Sequence, residues 1–290
     1  MKRVQATADS KFTEGEGLKL HYLDWGNIQS ERVLVCLHGT SGNAHHFDRL
    51  AASLLPSYRV IALDQRGHGG SDKPAHGYDA VTLAGDLQIF ADKIHLSTFA
   101  LLGASLGSRV ATVYAGSHPD RVTRLILVDL SFEMPEAAQE RMIQGHLKRP
   151  RTFASFEEAL AYSQSMPQRS RWSAEMHREE VRHGAAQRTD GKWEWRYSLE
   201  AALQSLRQAR QDLWNYVAGI RCPTLLIRGQ ESDVLTVGTT ERALQNLRDC
   251  RSVEIEAAGH GVPRDNPRRF NQVVAEFLGC IPSPAVDHRK

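Results

Sequence analysis

Ser105 stands at the centre of Gly103-Ala104-Ser105-Leu106-Gly107, between an apolar run, Phe99 to Leu102, and a segment of helical character, Ser108 to Ser117. A strand that turns sharply into a helix with serine at the apex aims the hydroxyl above the sheet. Glycines on both sides remove the Cβ atoms that would collide at such a turn. A serine hydroxyl is a weak nucleophile near neutral pH. It needs a base within hydrogen-bond reach, a carboxylate to orient that base, and N–H donors where an oxyanion would develop. The chemistry open to such a set is acyl transfer through covalent attack.

Candidates for every part lie at the ends of apolar runs. His260, in Ala258-Gly259-His260-Gly261, is the base candidate, because a glycine-framed imidazole can reach across to Ser105. Two acids compete: Asp129, directly after Leu125 to Val128, and Asp233, in the loop beyond Thr224 to Ile227. Either could instead cap a following helix. The donors are the backbone N–H of Leu106 and that of Thr40 in His38-Gly39-Thr40. His38, and Asp64, Arg66 and His68 in the loop after Tyr58 to Leu63, are expected to brace neighbouring loops.

The elements that must position these groups alternate along the chain. Strand-like runs are Leu18 to Trp25, Val33 to Leu37, Tyr58 to Leu63, Phe99 to Leu102, Arg124 to Val128, Thr224 to Ile227 and Ser252 to Ile255. Helical spacing is read at Ala44 to Leu55, Val81 to Ile94, Ser108 to Ser117, Thr239 to Leu247 and Pro267 to Leu278, with a turn at Gly26-Asn27. Continuous apolar runs such as Val33 to Leu37 suit strands buried on both faces. The fold class expected is α/β, a mostly parallel, doubly wound sheet whose ligand site lies at the carboxyl ends of the strands.

One interruption stands out. Ser131 to Tyr216 holds no strand-like apolar run but has helical stretches at Phe156 to Ser163 and Leu199 to Trp214. It reads as an inserted helical cap over residues 131–216, with the core formed by residues 1–130 and 217–290. Its arginines, among them Arg149, Arg169 and Arg171, could grip an anionic substrate or form a solvated basic surface paired with Glu157, Glu158, Glu179 and Glu180. The tail from Pro282 to Lys290 reads as frayed.

Composition excludes several classes. Hydrophobic content of 41% and charged content of 24% are those of a globular protein, and a formal net charge of +2 gives no reason to expect a nucleic-acid partner. No 18-residue apolar span argues for a transmembrane helix, and Met1 to Ser10 lacks the apolar core of a secretory signal. Cys36, Cys222, Cys250 and Cys280 have no C-x-x-C spacing, so free thiols in a reducing cytoplasm are expected, with no disulfide framework, metal site or cofactor.

His38-Gly39, Asp64-Gln65-Arg66-Gly67-His68-Gly69, the Gly103 to Gly107 turn and Gly259-His260 together resemble the α/β-hydrolase superfamily in order and context. The resemblance spans about Leu18 to Leu278. It implies a Ser, acid, His set and a small-molecule substrate without a cofactor. Ser105 sets the chain apart from dehalogenases and epoxide hydrolases, whose pattern has Asp at that turn. Gln65 to Pro74, Ser105-Leu106-Gly107 and Val128-Asp129 are most similar to the 2-(acetamidomethylene)succinate hydrolases.

In the more usual family pattern the acid is the third residue after the glycine closing the later strand. Counted from Gly229 that residue is Ser232, and Asp233 comes fourth. Asp129 is therefore favoured over Asp233, at a position a minority of the superfamily uses. The expected activity is a cofactor-independent serine hydrolase acting on a small carboxylic ester through an acyl-enzyme. Amide hydrolysis, C–C bond hydrolysis, perhydrolysis and a silent ligand-binding protein of the same fold are the alternatives.

Overall fold

The structure is a computed structural model that describes residues 7–26, 30–55, 57–130 and 132–280. The chain opens with a hairpin, β1 (Asp9–Gly15) and β2 (Leu18–Asp24), then runs through β3 (Val33–Leu37), a 3-10 turn (Ala44–Phe47) and α1 (Asp48–Leu54). Next come β4 (Arg59–Leu63), α2 (Ala80–Lys93), β5 (Phe99–Ala104), α3 (Leu106–Ser117) and β6 (Val122–Val128). A long excursion follows: α4 (Glu136–Leu147), β7 (Thr152–Phe153), α5 (Phe156–Ser165), a 3-10 turn (Pro167–Arg169), α6 (Ala174–Gly184), β8 (Ala185–Gln187), β9 (Trp193–Trp195), α7 (Leu199–Arg207) and α8 (Trp214–Val217). The chain returns with β10 (Thr224–Gly229), α9 (Val237–Asn246), β11 (Cys250–Ile255), α10 (Val262–Asp265) and α11 (Pro267–Phe277).

The main sheet has the order β1-β2-β4-β3-β5-β6-β10-β11. Pairing is parallel from β4 to β11, and only the β1–β2 and β2–β4 pairs are antiparallel. The chain is an α/β-hydrolase fold. Alternate residues of each central strand serve opposite faces. Val35 and Leu37 of β3, Leu101 of β5, and Leu125 and Leu127 of β6 pack towards α2 and α3. Leu34, Cys36, Leu102, Ile126 and Val128 pack towards α1 and α11. Burial on both faces explains why these strands read as unbroken apolar runs.

After β3 the chain adds β4 on one side and later β5 on the other. The order reverses between β3 and β5, so a crevice opens at their carboxyl ends, as it does at the switch point of an open parallel sheet. His38-Gly39-Thr40 and Ser105 follow directly from those two strands.

Some expectations shift. The expected helix at Ala44 to Leu55 begins as a 3-10 turn, where the Asn43 side chain accepts from His45 N–H. The expected helix from Leu199 to Trp214 breaks between Arg207 and Trp214. The segment between β6 and β10, expected to be a helical cap without strand-like runs, also forms a separate antiparallel sheet, β7-β9-β8, of strands two or three residues long. β1 carries a single large apolar residue, Phe12, and has no counterpart among the expected strands. Asn27, Ser131, residues 1–6 and the tail from Pro282 lie outside the described residues. Among the described residues no helix is long and apolar enough to cross a membrane, and all four cysteines are free.

Candidate active site

The turn at Ser105 owes its shape to close backbone contacts. Ser105 has φ 52° and ψ −112°, a strained conformation for a residue with a Cβ. Its N–H donates to Val128 O (2.9 Å), and its carbonyl accepts from Ser108 N–H (2.9 Å), so the residue is held from both sides. A Cβ on Gly103 would lie 2.2 Å from Gly107 O, and one on Gly107 would lie 2.2 Å from Leu37 O. Only glycine lets α3 start this close to β3 and β5. Ser108 Oγ accepts from Val128 N–H (2.9 Å) and lies 2.5 Å from Gly103 O, which ties the turn to β6.

Ser105 Oγ lies 2.9 Å from His260 Nε2, and His260 Nδ1 lies 2.8 Å from Asp129 Oδ1. Serine, imidazole and carboxylate thus form one hydrogen-bonded chain across the ends of β5, β11 and β6. Asp129 is buried, with φ 47°, and its N–H donates to Ile227 O (2.8 Å). Its Oδ2 accepts from Gly229 N–H (3.0 Å) and its Oδ1 from the Ser232 hydroxyl (2.6 Å). Burial opposes a charged imidazole at His260, but the hydrogen bond and charge of Asp129, with Asp233 and Asp265 adding, outweigh it and hold His260 above its ordinary value.

Asp233 takes no part in this chain. Its side chain is exposed and pairs with Arg141 at 2.5 Å. The one-position difference that makes Ser232 the inward residue turns Asp233 towards solvent.

The N–H groups of Thr40 and Leu106 donate to no protein group among the described residues. Both residues line a cavity of about 10 Å³ with Ser105, Asp129, Met134 and Leu206. Gly39 keeps that wall close, since a Cβ there would come within 3.2 Å of Ser105 Cβ. The arrangement can deprotonate a hydroxyl and present two N–H donors beside it, the requirements of acyl transfer.

The other polar residues singled out brace loops. His38 is fully buried, and burial pushes it down to about 4. Its Nδ1 meets Gly39 O (2.9 Å), Gln65 N–H donates to its Nε2 (3.1 Å), and Gln65 Nε2 donates to His38 O (2.7 Å). Asp64 accepts from Ala44 N–H (2.7 Å), Gly70 N–H (2.9 Å) and His21 Nδ1 (2.7 Å). Burial alone would raise its pKa, but His21, the charge of His38 and the two N–H groups hold it well below the carboxylate range. Arg66 pairs with Asp86, and Ser41 N–H donates to His68 Nε2 (3.3 Å).

Several of the arginines between β6 and β10 are paired with carboxylates. Arg169 meets Glu180 (2.8 Å), Arg171 meets Glu231 (2.8 Å) and Arg188 meets Glu194 (2.9 Å). Arg149 donates instead to Ser41 Oγ (3.0 Å), beside Thr40. Asp265, which the sequence reading did not single out, and Trp172 of the segment between β6 and β10 help to seat His260. Asp265 accepts from Gly259 N–H (2.9 Å) and from Trp172 Nε1 (3.1 Å), linking the histidine loop to the segment above it. The aspartate five residues beyond a Gly-His-Gly turn was visible in the sequence; its tryptophan partner was not.

Residues 32–267 match the profile of the alpha/beta hydrolase fold. The chain is 29% identical over 275 residues to a 3-hydroxybutyrate-oligomer hydrolase of Cupriavidus necator, covering 90% of this chain and 94% of that one. It is 30% identical over 293 residues to an esterase of Mycobacterium tuberculosis, covering 96% and 89%. The solved structure of E-2-(acetamidomethylene)succinate hydrolase superposes with a TM-score of 0.87 at 24% identity, covering 94% of this chain and 100% of the other, a likeness of fold.

Proposed function

The chain belongs to the alpha/beta hydrolase family, and on that premise we propose that it is a serine hydrolase acting on a small carboxylic ester through an acyl-enzyme. The observation that carries this reading is the hydrogen-bonded chain Ser105–His260–Asp129 beside the two unengaged N–H groups of Thr40 and Leu106.

In the proposed mechanism Ser105 Oγ attacks the acyl carbon while His260 Nε2 takes its proton. Asp129 holds the imidazole with Nδ1–H towards the carboxylate and stabilises the imidazolium as it forms. The N–H groups of Thr40 and Leu106 donate to the oxyanion, and His260 returns the proton to the leaving alkoxide. Water, deprotonated by the same imidazole, then attacks the acyl-enzyme and releases the acid and free Ser105. Removal of one oxyanion donor typically costs about 10²–10³ in kcat, so two backbone donors are a large share of the rate.

Residues 131–216 act as a cap on a core of residues 1–130 and 217–290 in this reading. Met134, Met142, Ser205 and Leu206 of the cap line the cavity beside Ser105. At about 10 Å³ the cavity holds about one water, so a substrate needs the side chains that line it to give way. The esterase and oligomer-hydrolase names of the relatives support hydrolysis. The proposed compartment is the cytoplasm, where free thiols such as Cys36 stay reduced.

A fluorophosphonate probe tests the reading. One adduct on Ser105, with loss of turnover of p-nitrophenyl acetate and butyrate, is the expected result. Turnover of those esters by a protein whose Ser105 stays unlabelled would overturn it.

A further inference from the structure

His45 lies in the 3-10 turn after β3, Asp48 is the first residue of α1, and His183 ends α6 in the segment between β6 and β10. One ligand atom from each of the three lies within 4.8 Å of the other two. The His45 and His183 rings are stacked with centroids 3.7 Å apart. Stacked imidazoles gain little from one another, and among the described residues the His183 ring has no hydrogen-bond partner. His45 Nδ1 lies 3.1 Å from Asp48 Oδ2.

These distances approach those of a metal site. Zinc–nitrogen and zinc–oxygen bonds of roughly 2.0–2.2 Å in a tetrahedron put ligand atoms about 3.3–3.5 Å apart. The His45–Asp48 pair, at 3.1 Å, is within about 0.4 Å of that spacing, and His183 completes the set with a side-chain shift of about 1.5 Å or less, estimated from the same geometry. All three residues are half-buried, so their side chains can adjust. A cavity of about 20 Å³ touches His45 and Asp48 and can hold a water as a fourth ligand.

We propose that His45, Asp48 and His183 form a binding site for a divalent transition-metal ion that ties α6 to α1. Two imidazoles and one carboxylate are a donor set for zinc, cobalt, nickel or copper, and a poor one for magnesium or calcium, which favour oxygen. The two helices are already aligned by Arg49–Glu179 (3.1 Å) and His46–Glu180 (3.2 Å), so the ion closes a prepared contact. It joins elements 135 residues apart, from Asp48 to His183, by the numbering alone. No His, Cys or carboxylate cluster with metal-ligand spacing is read along the sequence, because His183 meets the other two only once the chain has folded.

The test is titration of the whole chain with Co²⁺, followed by its visible absorption, and displacement by Zn²⁺ with a parallel melting curve. Saturable one-to-one binding and a zinc-dependent rise in Tm are expected. His45→Gln and His183→Gln should each weaken binding by at least ~10-fold, a cost seen even for loss of an outer partner of a metal ligand. His118→Gln, a substitution remote from the cluster, should leave both readouts unchanged. No saturable binding, or binding that ignores both His45→Gln and His183→Gln, would overturn the proposal. The readouts are independent of ester turnover, so the outcome stands apart from the proposed activity.

Discussion

The Ser232 hydroxyl lies 2.6 Å from Asp129 Oδ1, the same oxygen that faces His260 Nδ1 at 2.8 Å. Two donors converge on one carboxylate oxygen while Gly229 N–H holds the other. The carboxylate is thereby held at both oxygens. Ser232 occupies the position counted from Gly229 at which the more usual family pattern has its acid.

Asp129→Asn should lower kcat by about 10⁴-fold, because an amide at that position favours the wrong imidazole tautomer. Asp233→Asn should change kcat by less than about tenfold, since it removes an exposed ion pair with Arg141 and one of the lesser charges acting on His260. An aspartate at 232 reaches one bond further than serine towards His260. The double variant Asp129→Asn with Ser232→Asp should therefore recover part of the lost rate. Steady-state kinetics of the three variants with one ester check this, and inactivity of Asp233→Asn alone would refute it.

Ser105→Ala should abolish turnover and keep the strained backbone, with φ 52°. Ser105→Gly should abolish turnover too, yet relieve that strain. Strained φ/ψ costs on the order of 1–3 kcal/mol, partly offset by the chain entropy of glycine. The glycine variant should thus be more stable than the alanine variant by about 1 kcal/mol in urea unfolding. Equal stabilities would show that the turn stores no more strain than the roughly 0.5–1 kcal/mol that glycine costs in chain entropy.

The rate should rise with pH through a value above 6.5, the ordinary value for histidine, because His260 is raised and must be neutral to take a proton. The linked stability runs the other way. A pair whose histidine pKa is raised on folding stabilises fully below 6.5 and loses that contribution as pH climbs through the raised value. A pH profile of kcat/KM for wild type with its midpoint below 6.5 would contradict the assignment.

Asp64→Asn should destabilise the fold by about 1–3 kcal/mol, the cost of leaving a buried donor unsatisfied, since Ala44 N–H, Gly70 N–H and His21 Nδ1 all donate to the carboxylate. Asp64 is depressed below its ordinary 3.8, so its contribution is present above about pH 4 and fades as the solution is acidified further. Urea midpoints for wild type should fall between pH 5 and pH 3, and the variant should lack that part of the slope.

The central strands and the turn at Ser105 were legible because their signals are local. Val33 to Leu37 and Leu125 to Val128 are unbroken apolar runs, and two glycines frame the serine. What stayed hidden depends on distant partners. β1 is polar on its face and exists through pairing with β2. β7, β8 and β9 are too short for a periodicity, and Thr152 finds Glu194 only once the chain has folded. Counting along the chain identified Ser232 as the slot for an acid, but not that its hydroxyl would bind the acid on a neighbouring strand. Likewise Asp265 gave no sign of Trp172, 93 residues away.

The carboxylate that meets His260 is rooted on β6, in the middle of the sheet, and the loop from Gln230 to Thr236 lends it a single hydroxyl. A loop that supplies no reacting group is open to exchange provided that the Ser232 hydroxyl is kept on Asp129. Val234, on that loop, also lines the cavity beside Ser105. This protein therefore offers a region where the shape of the pocket can be redrawn by grafting, with the proton-transfer machinery left in place on rigid strands.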